Sequence, residues 1–298
     1  LSPENSCSCP ADCGPPPTTE LVCNDGVDDD CDGLTDCADS DCTESFACPG
    51  PDCGNGSCDP PETICWCPTD CAPVGPPPAP TADPSGIIKS RFISLVPGNA
   101  GQCTAIRVTL SSLHHVEPPY TSGASVPFTA FEGQVRWVGP ATQYFESASS
   151  GVPFVASSLI CTPYYQDWST IGLLHVTGSA IVPSSVYQAA MLGAVCQGAE
   201  SSCTAVSAPL PISTARSGNV VVSPPSDTLF NQANFGDITA LVSKYQSKLD
   251  APIKARAKIA GDARGLINIA SDVGFGDIAA DVDAYKGRPY PYIVVGCP

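Results

Sequence analysis

From Ile87 to about Val222 the apolar residues fall at alternate positions in short runs that end at Pro or Gly. Examples are Arg91-Phe92-Ile93-Ser94-Leu95-Val96, Thr104-Ala105-Ile106-Arg107-Val108-Thr109-Leu110 and Gly133-Gln134-Val135-Arg136-Trp137-Val138. A period of two sends successive side chains to opposite faces of an extended chain, so these runs predict half-buried strands. About 135 residues of this texture make one sandwich-sized domain. The helical period appears only near the end, in Ile238, Leu241, Val242 and Tyr245 and again in Ile278, Val282 and Tyr285. Two Pro-rich stretches, Pro15-Pro16-Pro17-Thr18-Thr19 and Pro73 through Pro84, read as stiff spacers. The predicted fold is mainly β, with four segments: a Cys- and Asp-rich arm over 1–72, a linker over 73–86, a β-sandwich over 87–222, and a duplicated loop-helix module over 223–298.

Cysteine usage adds the compartment. Eighteen cysteines lie beside Pro, Gly and Asp rather than His, which favours disulfides and an oxidising, extracellular setting over metal thiolates. Cys7, Cys9, Cys13, Cys23, Cys31, Cys37, Cys42, Cys48, Cys53, Cys58, Cys65, Cys67 and Cys71 precede the second Pro-rich stretch, and Cys103, Cys161, Cys196, Cys203 and Cys297 follow it. Both sets are odd, so at least one bridge is expected to join them, with Cys297 the natural candidate, unless a bridge joins two chains or a thiol stays free. Cys196 and Cys203 are close enough in the chain to close a local bridge. No stretch reaches the roughly 18 apolar residues of a membrane span, and no charged-then-apolar segment opens the chain, so the numbering is expected to start at a processed end.

Charge is distributed very unevenly. Residues 1–85 hold 17 Asp and Glu and no Lys or Arg, whereas 86–298 hold 13 acids and 13 bases, which gives the net −17. A field of that sign repels nucleic acid and anionic membrane surfaces and attracts divalent cations.

Two internal repeats are present. A shift of 58 residues lays Cys7-Ser8-Cys9-Pro10-Ala11-Asp12-Cys13 over Cys65-Trp66-Cys67-Pro68-Thr69-Asp70-Cys71, and only the later copy carries the preceding Cys53-Gly54-Asn55-Gly56-Ser57-Cys58. Cys7, Cys9 and Cys13 are therefore expected to find partners elsewhere. This block resembles the short CGNGxC…CPxDC repeats of secreted bacterial proteins. A shift of 40 residues lays Asn234-Phe235-Gly236-Asp237-Ile238-Thr239-Ala240 over Gly274-Phe275-Gly276-Asp277-Ile278-Ala279-Ala280, and Tyr245 over Tyr285. That pair resembles a degenerate dockerin type I module, a family in which an Asp closes each calcium loop as its helix starts. The β domain and the dockerin-like tail together resemble a group of secreted bacterial proteins.

Calcium is the expected cofactor. In Asp28-Asp29-Asp30-Cys31-Asp32-Gly33-Leu34-Thr35-Asp36-Cys37-Ala38-Asp39, carboxylates of Asp28, Asp30, Asp32, Asp36 and Asp39 stand at loop positions 1, 3, 5, 9 and 12. Gly33 stands at position 6, and Leu34 offers its carbonyl at position 7. This is the EF-hand ligand order, although Asp39 is shorter than the usual closing Glu. Residues 24–42 also resemble the Asp-rich metal-binding repeats of secreted bacterial proteins. The dockerin resemblance implies two further sites, for which the chain offers Asp262, Asn268, Asp272 and Asp277, and Asp227, Asn231 and Asp237. The plainer alternative makes Asp237 and Asp277 helix-starting residues, with Phe235 and Phe275 packing the two units together.

Catalytic material is sparse. His114, His115, Glu117 and His175 match no HExxH, GxSxG or CxxH spacing, and Glu132, Glu146 and Asp167 could act as a glycosidase pair only at a suitable separation. Trp137, Trp168, Tyr144, Tyr164 and Tyr165 could fill the core or stack on sugar rings. Asn55-Gly56-Ser57 is a glycosylation sequon, and Thr18, Thr19 and Thr81 lie in Pro-rich sequence. These features predict a non-enzymatic, calcium-stabilised structural protein of the bacterial cell exterior, self-associating as a homo-oligomer or homopolymer in a surface fibre or layer. The alternative is a carbohydrate-binding or dockerin-type anchoring module.

Overall fold

The computed structural model describes residues 18–19, 23, 27–28, 30–35, 39–42, 53–58, 62–65, 67–71, 75–98, 103–113, 128–146, 153–221, 233–248, 251–262, 264–288 and 290–297. The protein is mainly β and divides into two compact units, 1–74 and 75–298. The first is disulfide-rich. Cys53–Cys67 and Cys58–Cys71 staple the CGNGSC turn to the short helix α1 (Pro68–Cys71). Asp70, at the end of that helix, accepts the N–H groups of Gly54, Asn55 and Gly56 (2.6, 3.1 and 3.1 Å). Gly54 and Gly56 both have positive φ, which glycine adopts without cost, so their N–H groups can turn toward one carboxylate.

The second unit is built on ten strands: β1 (Thr81–Ala82), β2 (Ile93–Val96), β3 (Cys103–Ser112), β4 (Val135–Val138), β5 (Thr142–Phe145), β6 (Pro153–Ile160), β7 (Tyr165–Asp167), β8 (Leu174–Thr177), β9 (Val186–Gly193) and β10 (Leu210–Ser213). Their order is β1-β2-β8-β6-β4-β3-β9-β10, with β5 on β6 and β7 on β3, and the sheet curls into a nearly closed, sandwich-like barrel. Among the described residues, only β6 and β8 pair in parallel. The alternating runs lie in β2, β3 and β4. Ile106, Val108 and Leu110 of β3 point into a core with Ile93, Leu95, Val138, Trp168, Leu174, Val176 and Met191. The indole of Trp168 donates to the Thr104 carbonyl (2.8 Å), so its one polar group is satisfied inside that core.

The second Pro-rich stretch is not a free spacer. From residue 75 it belongs to the second unit, Pro77 and Pro80 are buried, and β1 pairs with β2. Gly98 makes this possible, because a Cβ there would meet the Ala79 carbonyl oxygen at 2.0 Å. Downstream, a buried ion pair between Asp83 and Lys89 (2.7 Å) fixes the turn into β2.

The C-terminal segment is likewise part of the same unit. Helices α2 (Phe235–Tyr245) and α4 (Phe275–Tyr285), with the short α3 (Lys254–Ala257) between them, enclose a small core of Val220, Leu241, Ala257, Ile259 and Val273. Tyr290 and Val294 enter the barrel core instead. Arg91 shows why the two regions are inseparable. Its buried guanidinium donates to the carbonyls of Ile181 (3.3 Å), Ile259 (3.1 Å) and Gly265, and its centre lies 5.1 Å from the ring centroids of both Tyr290 and Tyr292. Cys297 bonds Cys161 of the same set, which corrects its expected role in joining the two cysteine sets. Cys196–Cys203 is the local bridge its spacing suggests. Cys31, Cys65 and Cys103 are also disulfide-bonded. Cys7, Cys9, Cys13, Cys37 and Cys48 lie outside the described residues.

Candidate metal centre

The loop that begins at Asp28 is framed by the Cys23–Cys42 disulfide, whose Cα atoms are 5.7 Å apart. Within it the carboxylates organise the backbone. Asp28 Oδ1 accepts from the Cys31 N–H (2.6 Å), and its Oδ2 accepts from Gly33 (3.0 Å). Asp30 Oδ1 accepts from Asp32 (3.2 Å), and Asp32 Oδ1 from Leu34 (2.8 Å). Two residues take left-handed φ, Cys31 at 68° and Gly33 at 97°. The second is the sharp turn that the EF-hand order assigns to glycine. The result is that one carboxylate oxygen each from Asp28, Asp30 and Asp32 lies within 4.8 Å of the others.

Such crowding is electrostatically unfavourable unless a proton or cation offsets it. Asp30 registers the strain: burial first, then the carboxylates of Asp32, Asp39 and Asp28, hold its pKa above the ordinary value, against the opposing Asp32 N–H. Asp39, at the far end of the loop, is near enough for its charge to act on Asp30. It is 1% exposed; its Oδ1 accepts from Asp41 (2.7 Å), while Oδ2 has no hydrogen-bond partner among the described residues. A buried carboxylate oxygen without a donor is costly, and an all-oxygen donor set of this charge fits a hard divalent cation. Leu34 closes the turn on the Asp32 side, and Asp36 lies outside the described residues.

Two other groupings are not metal sites. Cys53, Cys67 and Asp70 converge, as do Cys58, Glu62 and Cys71, but the four sulfurs are spent in disulfides. Asp70 is already committed to three N–H groups.

The duplicated module also departs from the calcium expectation. Asp237 Oδ1 accepts the N–H groups of Val220 and Val221 (2.8 Å each), and Oδ2 accepts that of Asn234 (2.9 Å). Asp277 repeats the arrangement, with Oδ1 on Ile259 and Ala260 (2.9 and 3.0 Å) and Oδ2 on Gly274 (3.0 Å) and Lys258 Nζ (3.1 Å). Each caps its helix and clasps the incoming chain, and both are buried. Asp262 turns to the N–H groups of Arg264 and Leu266, Asn268 to that of Ala270, and Asp272 to Lys254 Nζ (2.8 Å). Among the described residues these side chains form no cluster of three acidic ligand atoms. Asp227 and Asn231 lie outside the described residues. Phe235 and Phe275 are largely exposed rather than buried between the units, although the Phe275 ring meets that of Tyr245 at 5.0 Å.

The remaining candidates hold the fold together. Glu132 accepts the Leu113 N–H (2.7 Å), Glu146 binds Lys244 Nζ (2.5 Å) and the Lys254 N–H, and Asp167 accepts from Ser169. His175 is buried between Tyr144 and Phe154, with Nδ1 2.7 Å from Ser94 Oγ across the β2–β8 pairing. Burial, reinforced by the Lys89 charge, pushes its pKa down to about 3, so the ring is neutral. His114, His115 and Glu117 lie outside the described residues. Trp137, Trp168, Tyr144 and Tyr165 are core residues, and Tyr164 is half-buried. Asn55 sits on an exposed turn with its Oδ1 accepting from Ser57 (2.7 Å), and Thr18, Thr19 and Thr81 are exposed. Sequence reading missed Asp281, a fully buried carboxylate on α4, because it stands where the helical period calls for an apolar residue. No helix among the described residues is long and apolar enough to cross a membrane. No family model, curated protein or solved structure matches the chain.

Proposed function

We propose that this protein is a non-catalytic, extracellular structural subunit whose N-terminal unit is stabilised by calcium. The observation that carries the reading is the convergence of Asp28, Asp30 and Asp32 inside a disulfide-framed loop, with the charge of the buried Asp39 acting on Asp30. Disulfides throughout both units support an oxidising compartment. The non-catalytic part is supported by the described carboxylates of Glu132, Glu146 and Asp167, which hold separate partners, and by a histidine too buried to ionise. The same burial of Trp137, Trp168, Tyr144 and Tyr165 weighs against the carbohydrate-binding alternative. A dockerin-type reading of the C-terminal module draws on the duplicated helices, with Asp237 and Asp277 as structural clasps.

Titration calorimetry on the full chain tests the calcium site. The wild type is expected to take up calcium and Asp30→Asn with Asp32→Asn to lose that uptake. Equal uptake by both proteins would defeat the assignment.

A further inference from the structure

We propose that the exposed aromatic and basic face of α2 and α4 binds the acid-only N-terminal unit, residues 1–74, of a second copy of this chain. The inference rests on the structural-subunit reading and names its partner.

The face is made twice by the 40-residue duplication. Phe235 and Phe275 are 72% and 73% exposed, and Tyr245 and Tyr285 are 46% and 48% exposed. Large apolar side chains left outside to the same degree, at the same positions of two helices, are not residues that failed to find room. The helices turn Leu241 and Ile278 inward and keep these four out. The 5.0 Å contact between the Tyr245 and Phe275 rings brings exposed aromatics of the two helices together.

The charges around it are unlike those anywhere else on the chain. All thirteen Lys and Arg are described, and only Lys248, Arg264, Lys286 and Arg288 are exposed; the others are buried or half-buried. Lys248 and Arg288 occupy equivalent positions, three residues beyond Tyr245 and Tyr285. Arg264 and Arg288 pair with Asp262 and Asp283, whereas Lys248 and Lys286 have no ion pair among the described residues. Exposed Lys and Arg are therefore confined to the C-terminal module, where Lys248, Lys286 and Arg288 follow the exposed Tyr245 and Tyr285 within three residues. Residues 1–74 carry 16 acids and no base. Opposite charge at the two ends of one sequence steers copies into contact, and the aromatic side chains supply apolar area to hold it. Because the two surfaces differ, each added copy leaves one of each unfilled, so the contact propagates instead of closing.

Sedimentation velocity over a concentration series, with negative-stain imaging, tests this on the full chain in millimolar calcium. The wild type is expected to form linear assemblies that weaken as sodium chloride is raised. Phe235→Ser with Phe275→Ser, and separately Lys248→Glu with Lys286→Glu, are expected to need at least about tenfold more protein to assemble. Their circular dichroism and melting should match the wild type, because all four positions are exposed. The Lys248→Glu, Lys286→Glu chain keeps its acidic stretch, so a small admixture should cap and shorten wild-type assemblies. Wild-type-like assembly by both variants, or unchanged lengths in the mixture, would overturn the contact while leaving the structural reading intact. A wild type that stays monomeric throughout would overturn both and assign the face to a different partner.

Discussion

Asp28, Asp30 and Asp32 bring one carboxylate oxygen each together within 4.8 Å, and the buried Asp39 Oδ2 accepts no hydrogen bond among the described residues; Asp237 and Asp277 sit apart, each closed over by three or four donors. In the 28–39 loop each N–H comes from a residue two to five positions away. Short local bonds of that kind shape a turn and leave carboxylate capacity over. In the helical module the donors arrive from 16 to 19 residues upstream as well as from the N-cap, and little capacity remains. The difference teaches that an acidic residue's usefulness to a cation is set by the donors the fold brings to it, and not by its place in a ligand-like spacing.

The largest expected effect tests the saturated side of this contrast. Asp277→Ala strands the N–H groups of Ile259, Ala260 and Gly274 and leaves Lys258 buried without its partner. A loss of about 3–5 kcal/mol in urea unfolding is expected. Calcium uptake at the 28–39 loop should not change, and a fall in affinity would break the contrast.

A second prediction compares the two helices directly. Where α2 has the core residue Leu241, α4 has Asp281, fully buried, with neither oxygen hydrogen-bonded among the described residues. Burial and then the neighbouring Asp237 charge push Asp281 up to about 8. The folded state thus keeps a proton that the unfolded chain releases near pH 4. Stability should be highest below that pH, fall as pH rises toward about 8, and level off above it. Asp281→Asn should flatten the slope in denaturation midpoints measured at pH 5 and pH 9, and an unaltered slope would remove Asp281 as its source.

The smallest effect on the fold belongs to the crowded loop. Asp30→Asn removes a charge that its neighbours already oppose, so apo stability should move by no more than about 0.5 kcal/mol, while calcium affinity drops about tenfold or more. Uptake by the wild type should also weaken in acid, because the raised pKa of Asp30 means that protons compete for it earlier.

The legible parts of the sequence were those governed by short-range pattern. Alternation in Thr104–Leu110 is β3, the spacing of Ile238, Leu241, Val242 and Tyr245 is α2, and the loop order from Asp28 brings three carboxylates together. What escaped reading depended on distant chain. Pro73 through Pro84 has a spacer's composition, yet its latter part is seated because Gly98, far along the sequence, offers no Cβ to block Ala79. Asp237 and Asp277 match a calcium-closing position, yet nothing in their own segments announces that the N–H groups of Val220 and Ile259 will occupy them. Arg91 reads as one residue of a strand-like run, and its bonds to Ile259 and Gly265 merge two expected modules into one.

The Cys161–Cys297 bond has a mechanical consequence. It ties the final residues of the chain to the end of β6 and encloses 136 residues of sequence separation, including both duplicated helices, in a covalent loop. Tension applied at residue 297 would pass through sulfur to Cys161 and bypass α2 and α4 entirely. Breaking the bond would release up to about 450 Å of extra contour length, at roughly 3.3 Å per extended residue over the 136-residue separation. A reducing environment would therefore leave the segment between Cys161 and Cys297 held by its packing alone.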